Sequence, residues 1–372
     1  MHMHKKPSLV LDARMVRHSG IGVYIRNLIP YLNQEFDLTL IGDKEMLEIF
    51  ECKIIHSNIS VYSPKELLGF SKKIGRADVF WTPHFNYPLW PVSAKLKLAT
   101  VHDMYHFAHF DKLSLVQKLY AQLVISNTLR VADRIITVSD FTKNEIANYF
   151  PNVDKGKIIP IHIGVDTATF RPDLRVSHLQ NVRTKYNLPD HYLLFVGNLK
   201  HNKNAIALVK AVQTLEAKNQ LHDHKIVFVG KKEGFRIGDN EVMDYIAANH
   251  LQHLVTFTGF VDDEDLPTLY SAASLFVFPS LYEGFGLPPL EAMACGCPVL
   301  CSNMASMPEV CGDAVFYFDP KIPESLSTVL GSLLANEIFK KSKSFIAKGW
   351  IKQYDWSITA EKHVQLIKNA LS

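Results

Sequence analysis

Short apolar runs alternate with longer amphipathic stretches over most of this 372-residue chain. The apolar runs are rich in β-branched and aromatic residues and end at turn residues, which predicts buried strands. The stretches between them carry apolar residues three or four positions apart, which predicts helices packed on one face. This alternation indicates a parallel sheet with helices on both sides.

In the first half, the alternation predicts six strands and three main helices. The strands are PSLVLDA, DLTLIG, ADVFWTP, KLATVHD, RIITVSD and KIIPIHIGVD. The helices are GVYIRNLIPYLN, LVQKLYAQLVISNTLRVA and FTKNEIANYF, and Ser139 or Asp140 can cap the last of these.

The pattern restarts after a polar, turn-rich stretch, RTKYNLPDHY. The next predicted strands are HYLLFVGNL, KIVFVGK, LVTFTGF, LFVFPS, PVLCSN and AVFYFDP, with helices at AIALVKAVQTLEAK, VMDYIAANH, DEDLPTLYSAA and PPLEAMACG. We therefore predict two doubly wound α/β domains, residues 1–187 and 188–345, with a linker near 170–190. Residues 346–372 are predicted to be helical and to fold back onto the first domain. Such sheets bind ligands at the carboxyl ends of their strands, so two facing sheets would form one central cleft.

Composition and cysteine usage limit the class of protein. The chain is 47% apolar and 21% charged, which is ordinary for a globular protein. No run approaches the roughly 20 apolar residues of a membrane span, and the apolar run near the start is too short for a signal peptide. The five cysteines are a poor disulfide framework and suit a reducing cytosol. Small buried thiols are favoured over a metal site at Cys295, Cys297 and Cys301, which lack paired spacing.

Charge is unevenly distributed between the two halves. Residues 1–187 carry 24 Lys and Arg against 17 Asp and Glu, and the remainder carries 16 against 20. A basic half could attract nucleic acid, anionic lipid or a phosphorylated substrate. Nucleic acid ranks last, since no interleaved arginine and aromatic stripe is present. The stretch KELLGFSKKIGR could lie on a membrane through Leu67, Leu68 and Phe70, and an ordinary surface helix is the equal alternative.

The richest segment is PSLYEGFGLPPLEAMACGCPVLCSN, residues 279–303. Gly284 and Gly286 let the backbone approach a ligand closely. Two prolines then suit the first turn of a helix, so the amides from Gly284 to Leu287 form an anion site. Glu291, one turn in, can accept two hydrogen bonds from a vicinal diol such as a ribose. Glu283 can accept from a second polyol or balance charge. The alternative is a helix-dipole residue at Glu291 and a solvated Glu283.

This segment resembles the signature of the retaining glycosyltransferases of the GT-B fold, the large glycogen-synthase-like and mannosyltransferase-like family. In that family, two glutamates separated by seven residues flank a GFG-type loop, as Glu283 and Glu291 do here. The resemblance implies that Glu291 binds the nucleotide ribose and that Glu283 lies beside the transferred sugar. It implies that amides near Phe285, Gly286 and Leu287 hold sugar hydroxyls and phosphate. It also implies two Rossmann-like domains facing a central cleft.

Further segments resemble the family in the same order along most of the chain. RHSGIGVYIRNLIPYL resembles the first strand-to-helix loop and implies that Gly20 and Gly22 lie near the pyrophosphate and acceptor. TVHDMYHF resembles a His-Asp loop, with His102 near the donor sugar and reaction centre. Asp103 either orients His102 or bonds the loop backbone.

The second half continues the resemblance. FVGNLKHNKN resembles the phosphate loop, and GFVDDEDLPTLYSAASLFVFPS the base-binding turn with Phe260 and Val261. Gly230, after the strand KIVFV, is also assigned to substrate binding. SNMASMPEVCGDAVFYFDP matches the segment beyond the second glutamate.

The phosphate loop departs from the family pattern at one cation. Many members use a basic pair there to neutralise the leaving diphosphate, and Lys203 stands at the second position. Asn198 and Asn202 occupy the common positions of the first, which leaves Lys200 as the nearest substitute. A diphosphate leaving group needs cations or a metal, and Lys203 with helix dipoles would supply the charge. Solvated loop lysines are the alternative.

Three other interpretations of these motifs are weaker. His102, His106, His109 and Asp103 could be metal ligands, although their spacing matches no compact zinc pattern, and His102 could be purely structural. Gly20-Ile21-Gly22 lacks the third glycine of a dinucleotide-binding fingerprint.

We therefore expect a retaining, metal-independent hexosyltransferase that needs no cofactor, with His102, Glu283 and Lys203 as catalytic residues. The second domain would bind a sugar nucleotide and the first the acceptor. The opening and the His-Asp loop resemble bacterial mannosyltransferases that use GDP-mannose in polysaccharide or lipopolysaccharide O-antigen assembly. The expected partners are GDP-mannose and a saccharide or lipid-linked acceptor, in the cytoplasm or on the inner face of the membrane. UDP-glucose, UDP-GlcNAc or a deoxysugar nucleotide remain alternative donors. A sugar-nucleotide epimerase and a non-catalytic binder are alternative functions.

Overall fold

The computed structural model describes residues 5–173, 175–230 and 241–372. Residue contacts divide the chain into two compact units. The first unit is Met1–Gly164 with Trp356–Ser372, and the second is Val165–Asp355.

The first unit is built on a seven-stranded parallel sheet in the order β3-β2-β1-β4-β5-β6-β7. Its strands are β1 Ser8–Asp12, β2 Asp37–Gly42, β3 Lys53–His56, β4 Arg76–Thr82, β5 Ser93–Val101, β6 Arg134–Thr137 and β7 Ile158–Pro160. Its helices are α1 Ile21–Glu35, α2 Lys44–Leu47, α3 Pro64–Gly69, α4 Ser71–Ile74, α5 Tyr105–Ala108, α6 Leu115–Val131, α7 Asp140–Tyr149 and, from the end of the chain, α16 Trp356–Leu371. Apolar residues on both faces of the central strands are buried, because helices cover both sides of the sheet.

The terminal helix α16 packs against α1 in the first unit. His363 is fully buried, and its Nδ1 donates to the Thr359 carbonyl at 2.7 Å. Its Nε2 therefore accepts from the Tyr24 hydroxyl at 2.5 Å. Burial lowers the pKa of His363 to about 4, so the imidazole is neutral near pH 7. An ion pair between Lys368 and Glu35, 2.6 Å long, closes the outer edge of the contact.

The second unit holds a six-stranded parallel sheet in the order β10-β9-β8-β11-β12-β13. Its strands are β8 Tyr192–Val196, β9 Lys225–Val229, β10 Val255–Gly259, β11 Leu275–Phe278, β12 Val299–Ser302 and β13 Phe316–Phe318. Its helices are α8 Val176–Tyr186, α9 Ala205–Ala217, α10 Glu241–Ala248, α11 Leu266–Ala272, α12 Leu287–Ala294, α13 Met307–Cys311, α14 Ser325–Leu334 and α15 Glu337–Trp350. The prediction of two doubly wound α/β domains is confirmed.

The boundaries differ from the predicted ones at both ends of the second unit. The region taken for a linker contains α8, which is tied to the second unit. Lys185 forms ion pairs of 2.7 and 2.6 Å with Asp262 and Asp265, and the Tyr186 hydroxyl donates to Asp265 at 2.8 Å. The predicted terminal helix is also two helices, of which α15 belongs to the second unit and α16 to the first.

Three smaller expectations can be compared with the structure. Phe70 is fully buried beneath the Arg14 guanidinium, 3.6 Å from its ring centroid, so the prediction that Phe70 faces lipid is wrong. The side chains of Leu67 and Leu68 lie outside the described residues. Four cysteines are buried, namely Cys295, Cys297, Cys301 and Cys311. Among the described residues, no helix has the length and apolar character to span a bilayer.

Candidate active site

The second sheet reverses its winding between β8 and β11, and the loops that follow these two strands lie together. The β8 loop contains the short 3₁₀ turn His201–Lys203, and the β11 loop is residues 279–286. The Leu281 amide donates to the Asn202 carbonyl at 2.7 Å, and the Asn202 side-chain amide donates to the Tyr282 carbonyl at 3.4 Å. A switch point of this kind is where open α/β sheets bind ligands.

An ion pair joins the two loops. Lys203 Nζ lies 2.5 Å from Glu283 Oε1, and both side chains are only partly exposed. The ammonium also lies 5.6 Å from the centroid of the Phe278 ring, within the range of a cation–π contact. Two residues that the sequence singled out separately, 80 positions apart, therefore form one charged unit.

The hydroxyl groups of Ser302 and Ser306 hold the β11 loop in place. Ser306 is fully buried, and its hydroxyl donates to the carbonyl oxygens of Glu283 and Phe285, at 3.0 and 2.9 Å. Ser302, at the end of β12, donates to the Ser280 carbonyl. Because their carbonyls are held, Glu283 and Phe285 occupy defined positions at the edge of the sheet.

Gly286 is the residue from which α12 begins. Its φ of +94° lies in the left-handed region, where a side chain is strained. A Cβ atom there would lie 2.3 Å from Met307 Cε and 3.1 Å from its Sδ. Both the backbone and the packing of the loop on α13 therefore require glycine.

We expect Gly286→Ala to be more destabilising than Gly296→Ala. Gly296 also has a positive φ, +77°, but a Cβ there would meet only Pro172 Cγ, at an ordinary 3.7 Å. Strain costs about 1–2 kcal/mol at both positions, and overlap with Met307 adds about 1–3 kcal/mol at Gly286 alone. Urea denaturation of the two variants measures the difference. Equal losses would show that Met307 moves away at little cost.

Glu291 lies in α12 and points to a buried tyrosine. Its Oε2 accepts a hydrogen bond of 2.9 Å from the Tyr270 hydroxyl of α11. Burial raises the pKa of Glu291 to about 7, with a smaller raising effect from Asp263, while the hydrogen bond from Tyr270 lowers it. The carboxyl group is thus divided between its neutral and charged forms near neutral pH.

The remaining predicted residues of the second unit lie at the carboxyl ends of β8 to β11 or at the start of α12, but they differ in exposure. Gly284, Phe285 and Val261 are buried, Leu287 and Gly230 are partly buried, and Phe260, Asn198 and Lys200 are exposed.

Within this group, contacts explain two of the positions. A Cβ at Gly230 would lie 2.4 Å from the Gly197 carbonyl oxygen, so its glycine is required by the chain itself. Asn198 Oδ1 accepts from the Lys200 amide at 3.3 Å, a local turn contact. The structure does not bring Lys200 to the Lys203–Glu283 pair.

In the first unit, His102 follows β5 and donates from Nε2 to the Pro83 carbonyl at 2.9 Å. Since a carbonyl can only accept, Nε2 carries the proton. Burial lowers the pKa of His102, against opposing effects from the Pro83 hydrogen bond and Asp103. The neutral imidazole therefore keeps Nδ1 as an acceptor. Asp103 Oδ1 accepts from the Tyr105 amide at 3.0 Å, so of the two predicted roles the structure shows a bond to loop backbone.

Gly20 and Gly22, the two glycines of the first loop, differ in their backbone conformation and in the space around them. Gly20 is exposed with φ +70° and has open space around it. Gly22 is buried in the first turn of α1, where a Cβ would lie 2.5 Å from the Val16 carbonyl. Close approach of the loop to its own helix requires glycine at Gly22.

A buried ionic cluster at the switch point of the first sheet was not predicted. Arg14 binds Asp12 through two hydrogen bonds of 2.8 and 2.6 Å and Glu66 at 2.6 Å, and His84 Nε2 lies 3.0 Å from Asp12. Three of these groups could ligate a metal ion. The Arg14 guanidinium already contacts both carboxylates, so we assign the cluster a structural role. The only signal in the sequence is an Asp-x-Arg step at the end of a strand.

Comparison with known proteins agrees with this architecture. The family model Glycosyl transferases group 1 matches residues 180–350, and the model Glycosyltransferase Family 4 matches residues 18–169. The chain belongs to this glycosyltransferase family. Membership confirms the family resemblance of the segment around Glu283 and Glu291.

The chain is also similar to two mannosyltransferases and to one glycosyltransferase of known structure. It is 32% identical over 261 residues to the O-antigen chain mannosyltransferase B of Escherichia coli, covering 70% of this chain and 66% of the relative. It is 32% identical to the serotype-specific mannosyltransferase WbdA of Escherichia coli, over 63% of this chain and 28% of that longer protein. A glycosyltransferase structure from Rickettsia africae aligns with a TM-score of 0.80 at 20% identity, over 99% of this chain and 100% of the other. The fold is therefore GT-B.

Proposed function

We propose that this protein is a retaining glycosyltransferase that moves mannose from GDP-mannose to a saccharide or lipid-linked acceptor in bacterial polysaccharide assembly. The observation that carries the proposal is the Lys203–Glu283 ion pair at the switch point of the second sheet, with Glu291 in the helix that follows. The family models cover both units, and the two relatives described above are mannosyltransferases.

In the proposed reaction, the second unit binds the sugar nucleotide. The ionised Glu291 accepts hydrogen bonds from the two ribose hydroxyls. The diphosphate lies at the start of α12, where the helix dipole favours negative charge. Lys203 Nζ neutralises the charge that develops as the sugar–phosphate bond breaks. Glu283 orients Lys203 before the donor arrives and then faces the transferred sugar.

The first unit is proposed to bind the acceptor at the carboxyl end of its sheet. His102 contributes a neutral imidazole with Nδ1 as an acceptor, which suits a sugar hydroxyl better than a charged group. The leaving phosphate takes the acceptor hydroxyl's proton as the new glycosidic bond forms on the face from which the phosphate departs. This scheme assigns the neutralising charge to Lys203, so added chelator is expected to leave turnover unchanged.

We expect Tyr270→Phe to weaken GDP binding in a pH-dependent way. Loss of the Tyr270 hydrogen bond raises the pKa of Glu291 from its value of about 7, so less of the ribose-binding carboxylate is ionised at neutral pH. The expected loss is about fivefold at pH 7 and smaller at pH 8.5, where Glu291 ionises in both proteins. Calorimetric titration with GDP at three pH values measures it, and Tyr192→Phe, another buried hydroxyl of the second unit, is the control. A loss that is constant with pH would contradict the role of Glu291 ionisation.

The donor is tested by thermal-shift measurements with GDP, UDP and TDP and their sugar conjugates. A ligand that binds only the folded protein raises its melting temperature, and we expect GDP-mannose to give the largest rise. Glu291→Ala should abolish most of it. Incubation with GDP-mannose and an oligomannoside, followed by NMR of the product, reports transfer and anomeric configuration. A larger shift with UDP-glucose would overturn the donor, and isomerised sugar nucleotide without acceptor would overturn transfer in favour of epimerisation.

A further inference from the structure

The outward face of α6 carries a row of exposed aliphatic side chains. Leu115, Leu119 and Leu123 follow one another at four-residue spacing and are 78%, 70% and 54% exposed, and Val116 beside them is 78% exposed. Residues at this spacing share one face of a helix. A contiguous apolar surface of this kind on a globular domain marks an interaction site.

The helix is held in place independently of this row. Its inward residues Val124 and Ile125 are buried, and Ser114 and Gln117 form a reciprocal capping box at its start. The capping box satisfies two backbone donors of the first turn. The apolar row therefore belongs to a formed, anchored helix.

A second segment extends the apolar surface. The Asn127 side chain donates to the Pro88 carbonyl at 3.2 Å, which fixes the chain after β4 against α6. Leu89 then lines a shallow hollow with Leu119 and Leu123. Trp90, next in sequence, is 55% exposed. We call Leu89, Trp90, Leu115, Val116, Leu119 and Leu123 the α6 patch.

Helix α6 itself is basic. Its residues Leu115–Val131 contain Lys118 and Arg130 and no Asp or Glu. Arg130 also lines the hollow with Leu119 and Leu123. An apolar face with cations and a tryptophan, and without acidic residues, is the pattern of a helix that lies in a lipid–water interface.

We propose that the α6 patch rests on the surface of a bilayer that contains anionic lipid. Apolar side chains would enter the region of the headgroups and upper acyl chains, Trp90 would lie at the interface, and the cations would meet lipid phosphates. A second copy of the chain fits less well, because two such faces would bring like charges together. The sequence had suggested a membrane surface at residues 65–76. Phe70 of that segment is buried, so the α6 patch is the surface that we propose instead. The inference is independent of the transferase reaction, since it concerns binding alone.

The test is co-sedimentation of the full chain with vesicles of phosphatidylcholine, with and without one quarter phosphatidylglycerol. The wild-type protein should sediment with the anionic vesicles, less so at high salt. The double variant Leu119→Glu, Leu123→Glu should lower the partition coefficient about tenfold or more, because it removes apolar contact and adds negative charge. Glutamate and leucine have similar helix propensities, so α6 should persist in the variant, as circular dichroism can check.

Ile49→Glu is the matched control. Ile49 is 74% exposed in the same unit, stands between acidic residues rather than cations, and lies outside the α6 patch. It should bind vesicles like the wild type. Quenching of Trp90 by brominated lipid, measured against Trp90→Phe, should place the indole at the interface. Equal partitioning of all variants would overturn the proposal. It would also be overturned if the wild type formed a dimer and bound no vesicles, while the double variant was monomeric.

Discussion

Replacing Arg14 with alanine is expected to lower the free energy of unfolding by about 3–5 kcal/mol, because two buried carboxylates lose their counter-charge. The side chains of Arg14, Asp12 and Glu66 are 3% exposed or less. The cluster also holds its surroundings, since Glu66 accepts from the Tyr62 amide at 2.7 Å. Chemical denaturation monitored by circular dichroism measures the loss.

The chain offers a matched control for this experiment. Arg175 grips Asp173 through the same two nitrogens and the same Asp-x-Arg spacing, with hydrogen bonds of 2.9 and 2.8 Å, but its side chain is 74% exposed. Arg175→Ala should cost less than about 1 kcal/mol, as exposed ion pairs do. Similar losses at both positions would show that burial does not strengthen the Arg14 cluster.

The pH dependence of the Arg14 effect has a definite sign. Burial alone would raise the pKa of Asp12, but the Arg14 guanidinium and His84 hold it well below its usual range. A lowered carboxyl pKa contributes stability above the unfolded value of about 4 and loses it as the pH falls further. The difference between wild type and Arg14→Ala should therefore shrink below about pH 4. A difference that stays constant between pH 7 and pH 3 would contradict this account.

The sequence predicted the fold well because its information is local. Each strand of the second sheet is a short apolar run between turn residues, so periodicity alone identifies it. Helix α8 was missed because the contacts that hold it are not local. Its sequence VSHLQNVRTKY is largely polar, and the ion pairs of Lys185 with Asp262 and Asp265 that hold it join residues 77 and 80 positions away. Contacts at that range leave no periodic signal in the chain.

In the candidate site, too, the local features could be predicted from the sequence and the long-range contacts could not. The loop around Gly286 and the position of Glu291 follow from residues 279–291, where glycine, proline and helix start are adjacent in sequence. The partners of these residues do not follow from it. Tyr270 beside Glu291 and the Lys203–Glu283 pair are brought together by the strand order of the sheet. The catalytic roles of Lys203, Glu283 and Glu291 stay predictions. The ion pair between Lys203 and Glu283 allows the role of Lys203 to be tested by substitution.

Lys203→Ala is expected to lower kcat of the proposed transfer by about 10²–10³-fold, because the charge developing on the leaving diphosphate loses its cation. If Lys203 acts mainly in the transition state, the KM for the sugar nucleotide should change much less than kcat. Lys203→Arg keeps the charge and should recover part of the rate. Lys210→Ala, an exposed lysine of α9 outside the site, should leave both constants unchanged.

The ion pair makes a second variant informative. Glu283→Gln removes the charge that holds Lys203 at 2.5 Å while keeping the size of the side chain. If Glu283 serves only to position Lys203, the double variant Lys203→Ala, Glu283→Gln should be no slower than Lys203→Ala alone, since the two residues then act as one unit. If Glu283 also contacts the transferred sugar, the double variant should be slower by a further factor of about ten or more. A wild-type kcat in Lys203→Ala would contradict the assignment of this site to the leaving group, whichever result Glu283→Gln gives.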